Sequence, residues 1–548
     1  MTDNTKLASP ELSNEDKMAR GSAWMTIGNM GSRLLGVIYI LPWYIWMGEY
    51  GAVGNALFNI GYTVYSFFIM VSTAGIPAAV AKQVAYHNSR QEYRTSQRLF
   101  IRATQAMLIL GVISAVTMYA LAPVLAEQAG GGAKLIPSMR SLSVALLIIP
   151  VMSVIRGYFQ GIQNMAPYAI SQLAEQAARI VYMLIATFVI MKLGNGDYVA
   201  AVTQSTFGAF IGALAGLGVL IYYFRKEKIK MDLRAEMSTE TVAIDTMGLI
   251  TSTIKEAIPF IILGAGITIY KLIDQFTFVR IMSSFTEYSN DQILRLIALF
   301  NGNPDKLSMV VIGLATSVAI VGLPLITEIY AKKDQTALAK LVSNNLQLYA
   351  FIMMPATFGM ILLAYPLNTL LYEPDRLGAN LLIVVCLSGL IQGLFMVTSM
   401  MLQGIYENNS ALLFFGIGLI VKLATQHVSI HLFEAYGPIV STTLGMAVTC
   451  YLNLRKIHKK TNFNISLTSR RIVFITLMTA AMTAAAWITK LIFGLMLDEG
   501  SKVQAFFLIL PVAAVGALVY MYIALRVRLA DRLLGSGMDR FRRILRMK

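Results

Sequence analysis

Four basic residues lie inside long apolar segments of the chain, where an ionic charge is energetically unfavourable. They are Arg33, Arg179, Lys271 and Lys422, and each lies about midway along its segment. A charge at the centre of a bilayer costs about 2.5–3.5 kcal/mol on insertion scales, so such residues usually pair with another group or face a functional cavity. Arginine and lysine side chains bind phosphate and carboxylate groups. These four cations therefore predict a receptor for an anion.

Local neutralisation is the alternative for several of these cations. Glu175 precedes Arg179 by one helical turn, and Asp274 or Glu256 of the same segment could neutralise Lys271. Arg33 has no acidic neighbour on its own segment, which makes it the strongest candidate. Three further arginines lie near segment ends, where we expect them to snorkel to the interface: Arg102, Arg156 and Arg280.

Two acids are candidates for a coupled ion. Glu328 is a lone acid in the eighth segment and Asp274 lies in the seventh, so either could take up Na⁺ or H⁺. A structural carboxyl with satisfied hydrogen bonds is the alternative for both. Cys386 and Cys450 have no metal-ligand spacing, and neither an HExxH nor a nucleotide-binding motif is present. We therefore expect no metal, no cofactor and no enzymatic activity.

The composition requires a membrane protein. Of 548 residues 56% are hydrophobic and only 14% are charged, against about 25% charged in a soluble domain. A bilayer core needs roughly 20 apolar residues in a helix. The sequence predicts an all-α polytopic membrane protein with about 14 transmembrane helices, at 21–46, 53–80, 99–127, 138–160, 167–193, 199–224, 255–282, 308–330, 343–372, 378–402, 410–433, 438–455, 471–496 and 504–526.

The net charge of +16 comes from basic loops that indicate the orientation of the segments in the membrane. It does not indicate nucleic-acid binding. Lysine and arginine gather in the loops that follow even-numbered segments, such as 225–234 and 455–471, whereas the odd-side loops are short or acidic. Positive loops face the cytoplasm, so both termini are predicted to be cytoplasmic in the cell membrane. Residues 1–20 lack the basic start and apolar core of a cleaved leader, so the first segment is expected to remain as an anchor.

An internal repeat divides the chain. Gly75-Ile-Pro77 recurs as Gly322-Leu-Pro324, with an offset of 322 − 75 = 247, and Gln160-Gly161-Ile162 recurs as Gln403-Gly404-Ile405, with an offset of 404 − 161 = 243. Arg179 and Lys422 are also 422 − 179 = 243 apart. Two parallel six-helix repeats plus two extra C-terminal helices follow from this, and parallel repeats that rock against each other are a transporter architecture.

The predicted organisation has six parts. They are a cytoplasmic N-terminus (1–20), an N-lobe (21–224), a cytoplasmic linker (225–254), a C-lobe (255–455), the extra helix pair (471–526) and a basic tail (527–548). The tail alternates leucines and phenylalanine with arginines. It could therefore lie on the inner leaflet as an amphipathic helix, or extend into solvent as a topogenic segment.

Three short motifs resemble a known family. Arg20-Gly-Ser-Ala-Trp24, Ser32-Arg33-Leu-Leu-Gly36 and Gly75-Ile-Pro77 resemble the polysaccharide-biosynthesis exporters of the multidrug/oligosaccharidyl-lipid/polysaccharide superfamily, and within it the Gram-positive MurJ/SpoVB-like branch, which includes lipid II flippases. The resemblance covers essentially the whole chain. Family members that carry an Arg-Asp pair three residues after the Ser-Arg-x-x-Gly segment differ from this sequence, which has Tyr39 and Ile40 there.

The resemblance implies a flippase for a lipid-linked sugar diphosphate, which would be an undecaprenyl-linked saccharide such as lipid II. Arg33 matches the family's cavity arginine, and Arg33, Arg179, Lys271 and Lys422 would bind the diphosphate. The extra helices at 471–526 would form a groove for the lipid tail. Membrane lipids and a coupled Na⁺ or H⁺ would be the other partners of a monomeric protein. An exporter of a capsule- or teichoic-type saccharide and a multidrug/cation antiporter are the alternatives.

Overall fold

Helices occupy the apolar segments throughout the part of the chain that the structure describes. This computed structural model describes residues 39–73, 76–236 and 261–534, with isolated positions at 24, 28, 31–32, 35–36, 238 and 258–259. Every regular element within these ranges is helical, and none is a β-strand. The all-α prediction is therefore confirmed.

The helices of the N-terminal half follow the predicted segments two to six. They are α1 (Ile40–Met47), α2 (Gly51–Thr73), α3 (Ile76–Ser89), α4 (Tyr93–Gln128), α5 (Gly132–Ala145), α6 (Ile149–Gly161), α7 (Ala166–Phe188), which continues as a π-helical turn (Val189–Leu193), and α8 (Tyr198–Glu236). Proline follows the first residue of α6 and of α7, where its missing N–H leaves no helical hydrogen bond unmade.

The helices of the C-terminal half follow the predicted segments seven to fourteen. They are α9 (Gly266–Phe285), α10 (Asn290–Ile297), α11 (Asn303–Ala331), α12 (Gln335–Leu362), α13 (Ala364–Leu371), α14 (Arg376–Gly404), α15 (Asn408–Phe433), α16 (Gly437–Thr461), α17 (Ile465–Gly494), α18 (Lys502–Arg526) and α19 (Leu529–Leu534). Side-chain oxygens of Asp334, Asp375 and Asn464 cap the first turns of α12, α14 and α17, as expected for these residue types.

Ten helical stretches within the described residues are long and apolar enough to cross a membrane. The predicted number of 14 is not confirmed. One stretch, Asn408–Thr461, contains both α15 and α16, which a three-residue turn joins. The seventh predicted segment is not among the ten, because α9 brings Lys271, Asp274 and Arg280 into one short helix.

The predicted linker begins later than expected, because α8 continues to Glu236. Residues 225–236 contain neither glycine nor proline, so nothing in them stops the helix. Two contacts hold this extension against α4: Arg94 Nε donates to the Ala235 carbonyl at 3.0 Å, and Gln97 donates to Asp232 at 2.8 Å. Most of 237–257 lies outside the described residues.

The chain forms two compact units. The first contains Val64–Ala126 and Ala133–Ile261, and the second contains Ile40–Thr63, Glu127–Gly132 and everything from Ile262 onward. Two pieces of the predicted N-lobe therefore belong to the second unit. The extra helices α17 and α18 belong to it as well.

The repeat is visible in the local backbone. α6 ends at Gly161 and α14 ends at Gly404. Each is followed two residues later by a left-handed residue, Gln163 with φ 59° and Tyr406 with φ 58°. A second pair of left-handed residues, Gln91 and Lys333, has an offset of 333 − 91 = 242. The same turn thus recurs at corresponding places in both halves.

The helix pair α17–α18 packs against α12. The Tyr520 hydroxyl donates to the Phe351 carbonyl at 2.7 Å, and Arg471 donates to Gln347 at 3.1 Å. An apolar cluster that includes Phe351, Ile475 and Tyr520 fills the contact. Of the basic tail, the described part contains α19, and residues 535–548 lie outside it.

Candidate functional site

The structure describes the surroundings of four of the six predicted site residues. Arg33 lies outside the described residues, and Glu328 lies on α11 with a side chain that is also outside them. Arg179, Lys271, Asp274 and Lys422 are each found in a defined ion pair. None of these four is therefore an isolated intramembrane charge.

In the first unit, two arginines share one carboxylate. Arg179 Nη2 lies 2.9 Å from Glu175 Oε1, and Arg156 Nη2 lies 3.0 Å from Glu175 Oε2. The three side chains are 14–18% exposed. Two guanidinium groups against one carboxylate carry a net charge of +1. We refer to Arg156, Glu175 and Arg179 as the arginine triad.

The hairpin of α6 and α7 brings the triad together. Arg156 lies five residues before the end of α6 and Ser171 five residues after the start of α7, so the two face each other across the hairpin. Arg156 Nε donates to Ser171 Oγ at 3.0 Å, and Glu175 follows one turn later on α7. Arg156, for which the sequence predicts snorkelling to the interface, pairs with Glu175 within the hairpin. The predicted pairing of Arg179 with Glu175 is confirmed.

In the second unit, Lys271 on α9 pairs with Asp305 on α11. Asp305 stands in the first turn of α11, where the helix dipole also favours a negative charge. The expectation that Asp274 pairs with Lys271 is wrong. Asp274 lies three residues further along α9 and pairs with Lys422 instead. Glu256, the other expected partner, lies outside the described residues.

Lys422 on α15 is the most deeply buried of the three predicted cations that the structure describes, with no exposed surface. Its ammonium group lies 2.6 Å from Asp274 Oδ1 and 2.6 Å from Thr442 Oγ1, and 3.3 Å from Gln426 Oε1. Asp274 also accepts from Gln426 Nε2 at 2.9 Å. Both charges therefore have several hydrogen-bond partners, as burial requires. We refer to Lys422, Asp274, Gln426 and Thr442 as the lysine cage.

Arg179 and Lys422 occupy corresponding places in the two halves. A Cβ atom built on Gly212 would lie 3.1 Å from Arg179 Cβ, and one built on Gly445 would lie 3.1 Å from Lys422 Cβ. The residue that corresponds to Glu175 is Gly418, since 418 − 175 = 243. Lys422 therefore has no carboxylate one turn before it and pairs with Asp274 on α9 instead. The repeat predicts the two positions, but not their different partners.

A small cavity of about 50 Å³ adjoins both lysine pairs of the second unit. Lys271, Asp274, Asp305 and Thr442 line it together with Gln392. Its volume accommodates a few water molecules. Lys422 is not among the lining residues, because Asp274 and Thr442 stand between it and the cavity.

A buried asparagine network, not predicted from the sequence, also lies in the second unit. Asn55 Nδ2 donates to Asn303 Oδ1 at 2.5 Å, and the Tyr372 hydroxyl donates to the Asn303 carbonyl at 2.8 Å. Asn59 donates to Asn55 Oδ1 at 2.8 Å. The feature of the sequence that could have revealed this network is the presence of neutral amide side chains inside apolar helices. The network joins the N-terminal parts of α2 and α11 to the residue that follows α13.

Comparison with known proteins gives consistent matches. A family model described as "Polysaccharide biosynthesis protein" matches residues 18–330. The lipid II flippase MurJ of Bacillus subtilis (strain 168) is 32% identical over 539 residues, which cover 96% of this chain and 98% of that protein.

Solved structures show the same fold. A structure titled lipid II flippase MurJ in an inward closed conformation matches with a TM-score of 0.60 at 14% identity, covering 93% of this chain and 99% of that one. An inward-facing MATE multidrug-resistance transporter of the MOP superfamily matches with a TM-score of 0.61 at 17% identity, covering 83% and 99%. The family match over more than half of the sequence, together with the full-length relative, shows that this chain belongs to the polysaccharide biosynthesis protein family.

Proposed function

We propose that the protein moves a lipid-linked sugar diphosphate, namely lipid II, from the inner to the outer leaflet of the cell membrane by alternating access. The observation that carries this proposal is the 32% identity, over 96% of this chain, to a protein named lipid II flippase MurJ. The protein acts as a transporter and not as an enzyme. Both termini face the cytoplasm in this proposal, as the distribution of basic loops predicts.

The arginine triad and Arg33 are the main binding site for the diphosphate of the substrate in this proposal. The triad supports this role because it carries a surplus positive charge on partly exposed guanidinium groups, and guanidinium groups bind phosphate oxygens in a bidentate manner. Lys271 pairs with Asp305, and Lys422 pairs with Asp274. Each lysine would bind the diphosphate only by exchanging its aspartate partner for the substrate. The same exchange would free Asp274 to take up Na⁺ or H⁺, and Glu328 is the second candidate for such an ion.

The membrane potential supplies a driving force in this proposal. Moving a dianion out of a negatively charged interior is favoured by about 2.3 kcal/mol per charge per 100 mV. Transport in proteoliposomes, with the potential and the ion gradients set separately, tests this point. A response to a Na⁺ or H⁺ gradient without a response to potential would assign the drive to a coupled ion at Glu328 or Asp274.

The substrate is tested by conditional inactivation of the gene. We expect an undecaprenyl-linked precursor of the cell wall to accumulate on the inner leaflet, and lipid II to be that precursor. Accumulation of a different undecaprenyl-linked saccharide, of the capsule or teichoic type, would assign the protein to that substrate instead.

A multidrug/cation antiporter is the second candidate, and the likeness to MATE folds favours it. Its ligands are cations and need an acidic site. Asp274 and Asp305 in the second unit are both paired with lysines, which speaks for the anionic substrate.

A further inference from the structure

We propose that a polar pocket between α12–α14 and the α17–α18 loop binds the saccharide of the lipid-linked substrate on the outer side of the membrane. The proposal rests on the proposed function and adds a second substrate site to the one at the intramembrane cations. The pocket lies wholly within the second unit. It has a volume of about 990 Å³, near the upper end for small-molecule sites.

The predicted topology places the pocket at the membrane surface on the odd side. Its walls come from the junction of α12 and α13, from the first turns of α14, and from the loop between α17 and α18. Leu495 and Met496 at its rim are 88% and 84% exposed. Two nearly bare apolar side chains beside a polar pocket fit a rim immersed in lipid. A lipid-anchored ligand could therefore enter sideways from the outer leaflet.

An apolar groove continues from the pocket along α12 and α17. Leu362 lines both the pocket and the groove, which has a volume of about 360 Å³ and extends along α17 from Trp487, beside the pocket, to Thr476. The hydroxyl groups of the groove's Thr476, Thr479 and Thr483 donate to carbonyls of their own helix, so these residues offer methyl groups to an occupant. A groove of this kind suits the hydrocarbon tail of an amphiphile whose head lies in the pocket.

The charges of the pocket favour a saccharide over a bare phosphate. Arg376 and Lys490 are balanced by Asp498 and Glu499, and Lys490 already pairs with Glu499 at 3.2 Å. A phosphate site needs a surplus of positive charge, which these four residues do not provide. Hydroxyl and amide groups of a sugar instead need donors and acceptors side by side.

The remaining lining residues extend this mixed character. Asn380 and Gln504 add amide groups, and Tyr365 adds a half-buried ring. The Asp498 carboxylate accepts from the Gly500 N–H at 2.9 Å, which fixes the loop that carries it. The pocket is thus built on a positioned loop and on the first turns of α14.

The first test is protection of an introduced cysteine. Asn380→Cys places a thiol on the exposed surface of the pocket, whereas Cys386 and Cys450 are buried and should not react with a membrane-impermeant maleimide. We expect the water-soluble saccharide released from lipid II to protect the thiol, and inorganic diphosphate to give no protection. Arg295→Cys, at an exposed odd-side position outside the pocket, is the control that should label equally with and without saccharide.

The second test compares lipids on the full-length protein in nanodiscs. We expect lipid II to bind at least about tenfold more tightly than undecaprenyl diphosphate, and Arg376→Gln combined with Asn380→Ala to remove that difference. Arg295→Gln should keep it. Equal affinities in the unsubstituted protein, protection by inorganic diphosphate, or equal competition by a phospholipid would each overturn the proposal.

These tests are separate from the test of the proposed function. Failure of the unsubstituted protein to translocate lipid II would refute the flippase assignment. Protection of Asn380→Cys by saccharide would still be measured in that case, and it would test the outer pocket independently. Translocation of lipid II without any saccharide effect at position 380 would keep the flippase assignment and refute the outer pocket.

Discussion

Removal of the Lys422 ammonium group should destabilise the protein strongly, because Lys422 has no exposed surface and is the counter-ion of Asp274. Lys422→Met keeps the length of the side chain but leaves the Asp274 carboxylate, 7% exposed, without its counter-ion. Removing one partner of a buried ion pair costs about 3–5 kcal/mol. The hydrogen bonds that Asp274 accepts from Gln426 at 2.9 Å and from Thr442 at 3.2 Å remain. The loss of stability should therefore lie near the lower end of that range.

A second substitution in the same ion pair tests this reasoning. Asp274→Asn added to Lys422→Met removes the orphaned charge, so the double variant should recover about half or more of the loss. Lys271→Met is the matched control, because its pair with Asp305 is 21–30% exposed and should cost only about 1 kcal/mol. Unfolding of the purified proteins in detergent gives the three values. The reasoning is refuted if Lys422→Met is no less stable than Lys271→Met, or if the double variant is no better than the single one.

Three further predictions address transport and the cytoplasmic side. Arg33→Ala should abolish lipid II translocation in proteoliposomes while leaving membrane insertion intact, and Arg33→Lys should retain part of it; full activity of the alanine variant would remove Arg33 from the substrate site. Asn55→Cys with Asn303→Cys should form a cross-link under oxidation, because the two side chains are in hydrogen-bond contact, and we expect this cross-link to stop transport reversibly; unchanged transport after complete cross-linking would show that the asparagine network does not open during transport. Glu407, bound by Lys460 and Lys456 at 2.7 and 3.1 Å, has its pKa lowered to about 2 from 4.5, first through the Lys460 hydrogen bond. Its contribution to stability is then present above pH 4.5 and is lost as the pH falls towards 2, and Glu407→Gln should cost no more than about 1 kcal/mol at neutral pH and show no such loss.

The sequence predicts the helices well because hydrophobic length is a direct physical signal. It is least accurate where a charged segment continues a helix, as at 225–236, since the end of an apolar run marks the membrane boundary and not the end of hydrogen bonding. For the site, the sequence locates intramembrane charges but does not determine their partners. Lys422 and Asp274 are 148 residues apart, and only the packing of α9 against α15 brings them together.

The arginine triad and the lysine cage show how the two halves have diverged from one arrangement. Arg179 and Lys422 start from corresponding backbone positions, each against a glycine of the next helix. In the first unit Glu175 is shared by two arginines, which leaves one positive charge and partial exposure. In the second unit Gly418 replaces that acid, and Lys422 is fully enclosed and neutralised by Asp274. A buried neutral pair contributes little attraction to a distant anion, because its two charges largely cancel. We therefore expect the arginine triad to attract an anionic substrate more strongly than the lysine cage does, so variants of Arg156 and Arg179 should weaken substrate binding more than variants of Lys422 that still fold.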